Sequence, residues 1–587
     1  MNTLHTPSPT VLQTAESVSS ELIRWLPATD SRRTCYLCRT VVSATAVLDV
    51  QNPFEPAQPL HLYRCRTCTS AFYDPFYLVP KERYYSARLM KYVSETVRGL
   101  DNFVMHLSAA APDNRRRSLL DLGCGLGLSV DFARRCLGWD AVGIEPSPWG
   151  EIGRRAFQIP MYDRYLQEID ALKGKQFGLV YVSEVIEHVP DPTALLAGMS
   201  EHVTDDGMLL VTTPNAERLG EQATLAEYIN ILAPADHILL FTPASLRATL
   251  MGLGFQHITM LKADSQLVCC ASKQALAIHH AAYPPSAWRP VYLEYLQEIA
   301  RQPIPEARLH LGLTFRLCAE LMQDGRFADA RVCLDELCAD LCARGDAVLL
   351  DPQQATAIVR ALPSSHAFID RCPGHLAGLH YFLGLYAAQV EHRYDLAQAH
   401  LQASFDIAAH CLTFGLEYFA EDADRIWDAA YQLGLCQRQA GLLDDAIRTF
   451  ERLAKPDVSS GLPPVRADLQ RAGTYYLAEA LTTQGRWDEA IPYLRRVMRM
   501  ELRLGGSVCG ERSAELLGRA TGTVLAQELD AMSDRHAVRQ CQEAFRGAAG
   551  SRLSRWALWT RTAQEAWQVV ASQGLEGILT RIRSRLS

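Results

Sequence analysis

Ser118-Leu-Leu-Asp-Leu-Gly-Cys-Gly-Leu-Gly127 joins an apolar run to an acid and then to three glycines at alternate positions. The pattern reads as a strand that enters a glycine turn and opens a helix over Leu128–Leu137. Glycines at such a turn let the backbone approach a ligand and adopt angles that other residues resist. A dinucleotide site would space them G-x-G-x-x-G, and a nucleoside-triphosphate loop would end in G-K-[ST]; neither pattern is present. Asp121 instead precedes Gly123, Gly125 and Gly127, which suits a cationic or amine-bearing ligand better than a phosphate. The next strand, Ala141-Val-Gly-Ile-Glu145, ends in a second acid 24 residues after the first, where a ribose diol would be gripped.

The same order of elements continues downstream. Phe177-Gly-Leu-Val-Tyr-Val-Ser-Glu-Val-Ile-Glu-His-Val-Pro-Asp-Pro192 reads as a strand and its loop, and Asp206-Gly-Met-Leu-Leu-Val-Thr-Thr-Pro-Asn215 as a further strand. Asp236-His237-Ile-Leu-Leu-Phe-Thr-Pro-Ala-Ser-Leu246 and Gly252-Leu-Gly-Phe255 precede two last strands, Gln256–Leu261 and Gln266–Ala271. Together these segments resemble the class I, Rossmann-like S-adenosylmethionine-dependent methyltransferases. The resemblance implies S-adenosyl-L-methionine as cofactor, with Asp121, Gly123, Gly125, Gly127 and Glu145 binding it. It places Asp163 near the adenine, after Met161-Tyr162, and Ser183 and Glu184 at the end of the fourth strand, by the reaction chamber.

His188 and His237 are the candidate catalytic residues. A histidine at either point can deprotonate a substrate hydroxyl near neutral pH; the other reading is that it packs against its loop and orders it. Deoxysugar C-methyltransferases have an acid–histidine pair at a point comparable to Asp236-His237, but continue into another α/β domain. Enzymes that methylate amino groups of DNA bases or glutamine carry [DN]-P-P-[YF] after the fourth strand. Val182-Ser-Glu-Val185 is not that turn, so nucleic-acid and protein-glutamine acceptors are not expected.

Ahead of this region, Cys35-x2-Cys38 and Cys65-x2-Cys68 form two knuckles. Two such pairs can complete a tetrahedral four-sulfur shell with no open position, which predicts a structural Zn2+. Two disulfides or four free thiols are the other readings. Arg39, Arg64 and Arg66 would offset the thiolate charge. Many glycan and deoxysugar methyltransferases carry a similar segment before the methyltransferase fold, and Tyr84-Tyr85 to Tyr92 resembles a helical lid over the cofactor.

Beyond Pro303-Ile-Pro305 strand signals fade and a helical pattern recurs. Leu317-Cys-x2-Leu321-x3-Gly325-Arg-Phe-x2-Ala330-x3-Leu334 is one copy. Leu433-Gly-x2-Gln437-x3-Gly441-Leu-Leu-x2-Ala446-x3-Phe450 and Leu477-Ala-x2-Leu481-x3-Gly485-Arg-Trp-x2-Ala490-x3-Leu494 are two more, and Leu383–Ala397 is a looser one. Small residues at helix crossings, a turn glycine and an apolar anchor resemble tetratricopeptide repeats. Wide spacing and the Asp457–Val465 insertion make the array irregular, and a plain helical bundle is the alternative. A cluster of Arg552, Arg555, Arg561, Arg581, Arg583 and Arg585 beside Trp556 and Trp559 is a solvated helix face or a contact for an anionic surface.

The 587 residues exceed one core. The expected fold is multidomain: a disordered N-terminus (1–30), a small zinc-binding segment (31–85), an α/β Rossmann-like methyltransferase sheet (86–275), a linker and helix (276–305), all-α tetratricopeptide-like repeats (306–505) and a C-terminal helical segment (506–587). Composition is 48% apolar and 21% charged with a net charge of −8, which supplies no overall basic field for nucleic acid. Apolar runs fall short of a membrane span, no export signal is recognisable, and most of the 17 cysteines sit singly in apolar helical segments, so a reducing cytoplasm is expected. The expected activity is methylation of a sugar, glycan precursor or small hydroxylated metabolite, with the repeats binding a protein partner or a second copy of the chain. The alternative is a catalytically silent cofactor-binding scaffold that recruits a partner through its repeats.

Overall fold

The computed structural model describes residues 23–504 apart from 51, 53–57, 78–85, 98, 111–116, 220–230, 235, 276–284, 415, 457–461 and 463–464. The chain enters as an antiparallel sheet of β1 (Ile23–Trp25), β2 (Asp30–Thr34), β3 (Val41–Val50), β4 (Leu60–Cys65) and β5 (Ala71–Tyr73). Along β3 every second residue, Val42, Ala44, Ala46 and Leu48, is buried, the two-residue period of a sheet with one covered face. Ile23–Trp25, grouped by composition with the polar leader, pairs antiparallel with Leu48–Val50.

Helices α1 (Ala87–Thr96) and α2 (Leu100–Ala110) lead into a seven-stranded sheet. Its strands are β6 (Ser118–Leu122), β7 (Asp140–Ile144), β8 (Met161–Tyr162), β9 (Phe177–Ser183), β10 (Val203–Pro214), β12 (His257–Ala263) and β13 (Gln266–Ser272). The spatial order is β12-β13-β10-β9-β6-β7-β8, with β8 through β10 parallel and the β12–β13 hairpin antiparallel to them. Winding reverses about β6, so a crevice opens beyond the carboxyl ends of β6 and β9, where ligands of such sheets bind. Helices α3 (Leu128–Arg135), α4 (Pro148–Phe157), α5 (Pro192–Glu201) and α6 (Pro243–Gly252) fill the connections. Strand β11 (Leu239–Leu240) leaves this sheet and pairs with β5 of the first one.

The rest of the described chain is helical: α7 (Pro285–Ala300), α8 (Ala307–Gln323), α9 (Phe327–Ala343), α10 (Pro352–Arg360), α11 (Ser365–Arg371), α12 (Leu376–Gln389), α13 (Tyr394–Leu412), α14 (Leu416–Gln439), α15 (Leu443–Ala454), α16 (Ala467–Thr483) and α17 (Trp487–Leu504). The three repeat glycines, Gly325, Gly441 and Gly485, close α8, α14 and α16 at φ of 70°, 78° and 75°. Each is followed by the same bond, Arg326 N–H to Leu321 O, Leu442 N–H to Gln437 O and Arg486 N–H to Leu481 O, all 2.9 Å, which satisfies a carbonyl at the helix end. At Gly434 the helix crossing leaves room only for hydrogen, since a Cβ there would lie 2.6 Å from the Phe450 ring.

Contacts divide the chain into two units, one built on residues up to Tyr386 with Ala403–Arg425, the other on Ala387–Gln402, the remainder of α14 and α15–α17. Within the first unit, α7 and α8 pack on the methyltransferase-type region. Tyr295 Oη donates to Leu128 O at 3.1 Å, Arg135 pairs with Glu298 at 2.7 Å, and a Cβ at Gly312 would meet Ser94 O at 2.1 Å. Glu95 of α1 is buried between Arg308, which donates to it, and the Gly374 N–H at 2.6 Å. Burial raises its pKa while Arg308 opposes the rise. Removing the guanidinium takes away the direct ion-pair partner of a buried carboxylate and leaves only Lys91 and Arg344 acting on it, and because Arg308 is partly exposed the loss should be about 2–3 kcal/mol. Arg308→Ala should therefore lower the thermal midpoint, and Glu95→Gln added to it should restore part of the loss; calorimetry of the two variants checks this.

No helix among the described residues is long and apolar enough to cross a membrane. Most of the expected disordered leader, Tyr84-Tyr85 of the expected lid, nearly all of the Asp457–Val465 insertion and the arginine–tryptophan cluster from Arg552 to Arg585 lie outside the described residues.

Candidate active site and cysteine centre

The glycine turn sits at the carboxyl end of β6, and Gly123, Gly125 and Gly127 all have left-handed backbone, with φ of 74°, 55° and 73°. They do different work. A Cβ at Gly123 would lie 2.5 Å from Val185 Cγ2, and one at Gly127 2.5 Å from Ile159 Cδ1, so these two let neighbours pack. A Cβ at Gly125 meets nothing within 4 Å, and that open face is where a ligand can approach the backbone. Glu145, one residue past β7, holds the turn: Oε2 accepts from Gly125 N–H at 3.0 Å and Oε1 from Ser147 N–H at 2.9 Å. Asp121 is buried and accepts from the Ser129 hydroxyl. Burial raises its pKa to about 7, with Ser129 opposing and the Glu145 charge adding. A cationic ligand group beside it would restore the ionised form, so the donor set fits a ligand carrying an amine and a diol.

At the end of β9, Ser183 Oγ lies 2.8 Å from Thr212 Oγ1. Glu184, in left-handed backbone at φ 53°, accepts from Thr212 and Gln266, both at 2.9 Å. Asp163 follows β8 with its carboxylate 59% exposed and 3.4 Å from Arg154. Gly125 and Glu145 are thus hydrogen-bonded to each other, Asp121 is held by Ser129 within electrostatic reach of Glu145, Ser183 and Glu184 end the next strand, and Asp163 pairs with Arg154 apart from them.

The two candidate histidines come together, their ring centroids 4.8 Å apart. His188 Nδ1 lies 3.1 Å from Asp236 Oδ1, and its Nε2 faces Glu187 Oε1 at 3.7 Å. Asp236 is therefore the spatial partner of His188; His237 Nδ1 lies 2.8 Å from Ile231 O and donates to it. Despite the opposing effect of burial, Asp236 and Glu187 raise His188 to about 10. Burial and the His188 charge depress His237 to about 4, so His237 is a neutral ring, and with Nδ1 donating to Ile231 its Nε2 carries the lone pair. Glu187, wholly buried, accepts from Thr213 at 2.9 Å and is raised to about 8 by burial and the Glu184 charge. Glu187, His188 and His237 also bring ligand atoms within 4.8 Å of one another, a spacing at which a cation can be shared.

The four knuckle cysteines converge, all Sγ within 4.8 Å, with Cys35–Cys68 at 3.7 Å and Cys38–Cys65 at 3.9 Å. A tetrahedral ion with Zn–S bonds of about 2.3 Å sets its sulfurs about 3.8 Å apart, so the cluster fits. Backbone N–H groups of Cys38, Thr67 and Cys68 point at Cys35 and Cys65 sulfurs at 3.4, 3.3 and 3.5 Å, which favours thiolates. The flanking arginines have other partners: Arg39 binds Asp191 at 2.6 Å, Arg66 binds Asp30 at 2.9 Å, and Arg64 donates to Ala216 O at 3.0 Å.

Residues 92–259 match the family model described as a methyltransferase domain, and residues 428–455 and 476–506 match tetratricopeptide-repeat models, covering the second and third repeat copies. The ubiquinone biosynthesis O-methyltransferase of Azorhizobium caulinodans is 28% identical over 155 residues, 24% of this chain and 58% of that protein. Its counterpart in Cereibacter sphaeroides is 34% identical over 131 residues, 22% and 51% of the two lengths. The chain thus spans little more than half the length of these relatives. Among solved structures, Streptomyces venezuelae DesVI aligns with 30% of this chain and 94% of its own at 16% identity and a TM-score of 0.25. The plantazolicin methyltransferase BpumL in complex with SAH aligns with 33% and 99% at 13% identity and a TM-score of 0.24. The chain carries a methyltransferase domain followed by tetratricopeptide repeats.

Proposed function

We propose that this protein is an S-adenosylmethionine-dependent methyltransferase acting on a hydroxyl of a sugar, glycan precursor or other small hydroxylated metabolite. The carrying observation is the His188–Asp236 pair, 3.1 Å apart, beyond the end of β9 on the ligand side of the sheet. A carboxylate-held imidazole is the base needed where the acceptor proton is not acidic. Relatives named as O-methyltransferases favour oxygen over carbon or nitrogen as the acceptor atom.

The bound cofactor supplies an electrophilic methyl on a sulfonium centre. Asp121 would hold its amino group and Glu145 its ribose diol, with the open face of Gly125 admitting it against the backbone; Asp163 would border the adenine, and Ser183 and Glu184 would line the reaction chamber. His188 Nε2 takes the acceptor proton while Asp236 stabilises the imidazolium. His237, neutral, offers its Nε2 to orient the acceptor hydroxyl. In-line transfer needs mostly this positioning. Labelled methyl donor incubated with a fractionated metabolite and polysaccharide extract tests the reading. Label in an O-methyl product supports it; a protein that binds S-adenosylhomocysteine yet labels nothing is the silent scaffold instead.

Cys35, Cys38, Cys65 and Cys68 bind one structural zinc per chain in this proposal. Protein purified reduced and without chelator should hold zinc at one equivalent, and Cys35→Ser should lose it with a lower thermal midpoint. Metal analysis that finds none removes the assignment. The repeats bind a protein partner or a second copy of the chain, and light scattering of the full chain across concentrations reads the second option.

A further inference from the structure

The two cysteine knuckles end alike. Arg39 follows Cys38 and Thr69 follows Cys68, both in left-handed backbone at φ 58° and 68°. Arg39 N–H donates to Cys35 O at 2.8 Å and Thr69 N–H to Cys65 O at 3.0 Å. Closing each knuckle therefore fixes where these two side chains start. Each then grips a different loop of the methyltransferase domain. Arg39 donates to Pro190 O at 3.1 Å and pairs with Asp191, on the loop that carries Glu187 and His188. Thr69 Oγ1 lies 2.6 Å from Thr242 Oγ1, the N-cap of α6, just past the segment that carries Asp236 and His237.

The second grip is reinforced by the sheet. Leu239 and Leu240 pair with Phe72 and Ala71, and Tyr73 N–H donates to Ile238 O at 3.1 Å. Ile238 N–H in turn donates to Glu187 O at 2.7 Å, which ties the two loops where the histidines meet. One shared ion between the knuckles would fix the separation of Arg39 from Thr69, and with it the separation of the loops.

We propose that Arg39 and Thr69 are positioning residues through which the four-cysteine centre sets the His188–Asp236 contact. The proposal rests on the reading of that pair as the base, so its test separates the two. Arg39→Gln and Thr69→Val each remove one grip and leave all four sulfurs in place. Protein labelled with 15N in its histidine rings is titrated by NMR in wild type, both variants and the conservative Thr69→Ser. Withdrawal of Asp236 from His188 lowers the His188 midpoint from its raised wild-type value, and Thr69→Ser retains it. This readout needs no turnover. In the methyl-transfer assay, kcat should fall about tenfold to a hundredfold, since a misplacement near 1 Å costs that order. S-adenosylhomocysteine affinity should stay within about twofold, because the grips bind Pro190, Asp191 and Thr242 and share no partner with Asp121, Gly125 or Glu145. Variants that stay folded and keep their metal with an unchanged His188 midpoint overturn the positioning role. A shifted midpoint in a protein that labels no acceptor sustains it and overturns the enzymatic reading.

Discussion

His188→Gln should lower the rate of methyl transfer by about 10²–10⁴-fold, the usual worth of a positioned base, while the protein still binds S-adenosylhomocysteine. The same group should write itself into the pH profile. Asp236 and Glu187 hold His188 at about 10, so at neutral pH nearly all of it carries a proton and cannot accept another. Turnover should therefore climb about tenfold per unit from neutrality and level off near pH 10. Asp236→Asn removes the larger of the two carboxylate charges that raise His188, and leaves burial, which lowers it, opposed by Glu187 and the Asp236 carbonyl. The rising limb should then move to lower pH, and the plateau should be lower because the base is weaker. His237, held near 4, is neutral throughout this range. His237→Gln should raise the acceptor KM and leave the slope alone. A wild-type profile flat from pH 6 to 9 would sink the role of His188.

Gly125→Val should weaken cofactor binding by about a hundredfold or more. Two costs combine: a left-handed position at φ 55°, worth about 1–2 kcal/mol against a β-branched residue, and a side chain in the open face the ligand must occupy. Gly123→Ala makes the contrast. Its Cβ meets Val185 at 2.5 Å, so it should cost fold stability first and affinity through that loss. Calorimetric titration with S-adenosylhomocysteine beside thermal unfolding separates the two. Normal affinity in a folded Gly125→Val protein would refute the assignment of the turn.

The sheet was legible because its signals are local. Apolar runs, an acid at a strand end and alternating glycines lie within a few residues of one another, and β6, β7, β9 and β10 fall where those signals place them. Cysteine spacing was readable for the same reason. The base was only half readable. Both histidines stand out in the sequence, but the Asp236-His237 dipeptide suggests a pairing within itself, while the fold gives Asp236 to His188, 48 residues away. Glu187 shows no sign in sequence of being buried. Nor could the knuckles announce that Leu239–Leu240 would desert the parallel sheet and join β5, since a two-residue edge strand carries too little pattern to declare its partner. The differing tasks of the three glycines depend on Val185 and Ile159, which only folding brings near.

The crossing of α8 over α1 bears on how such a chain can be inherited. A gene crossover that delivered a foreign helical region before residue 307 would have to bring a glycine opposite Ser94 and a guanidinium opposite Glu95 at one stroke. Either alone is harmful, since the wrong side chain collides with backbone and the missing arginine strands a charge. A chimaera joined at this seam should therefore misfold unless both residues are carried across, and one joined beyond Gly374, whose N–H also binds Glu95, should keep the contact whole.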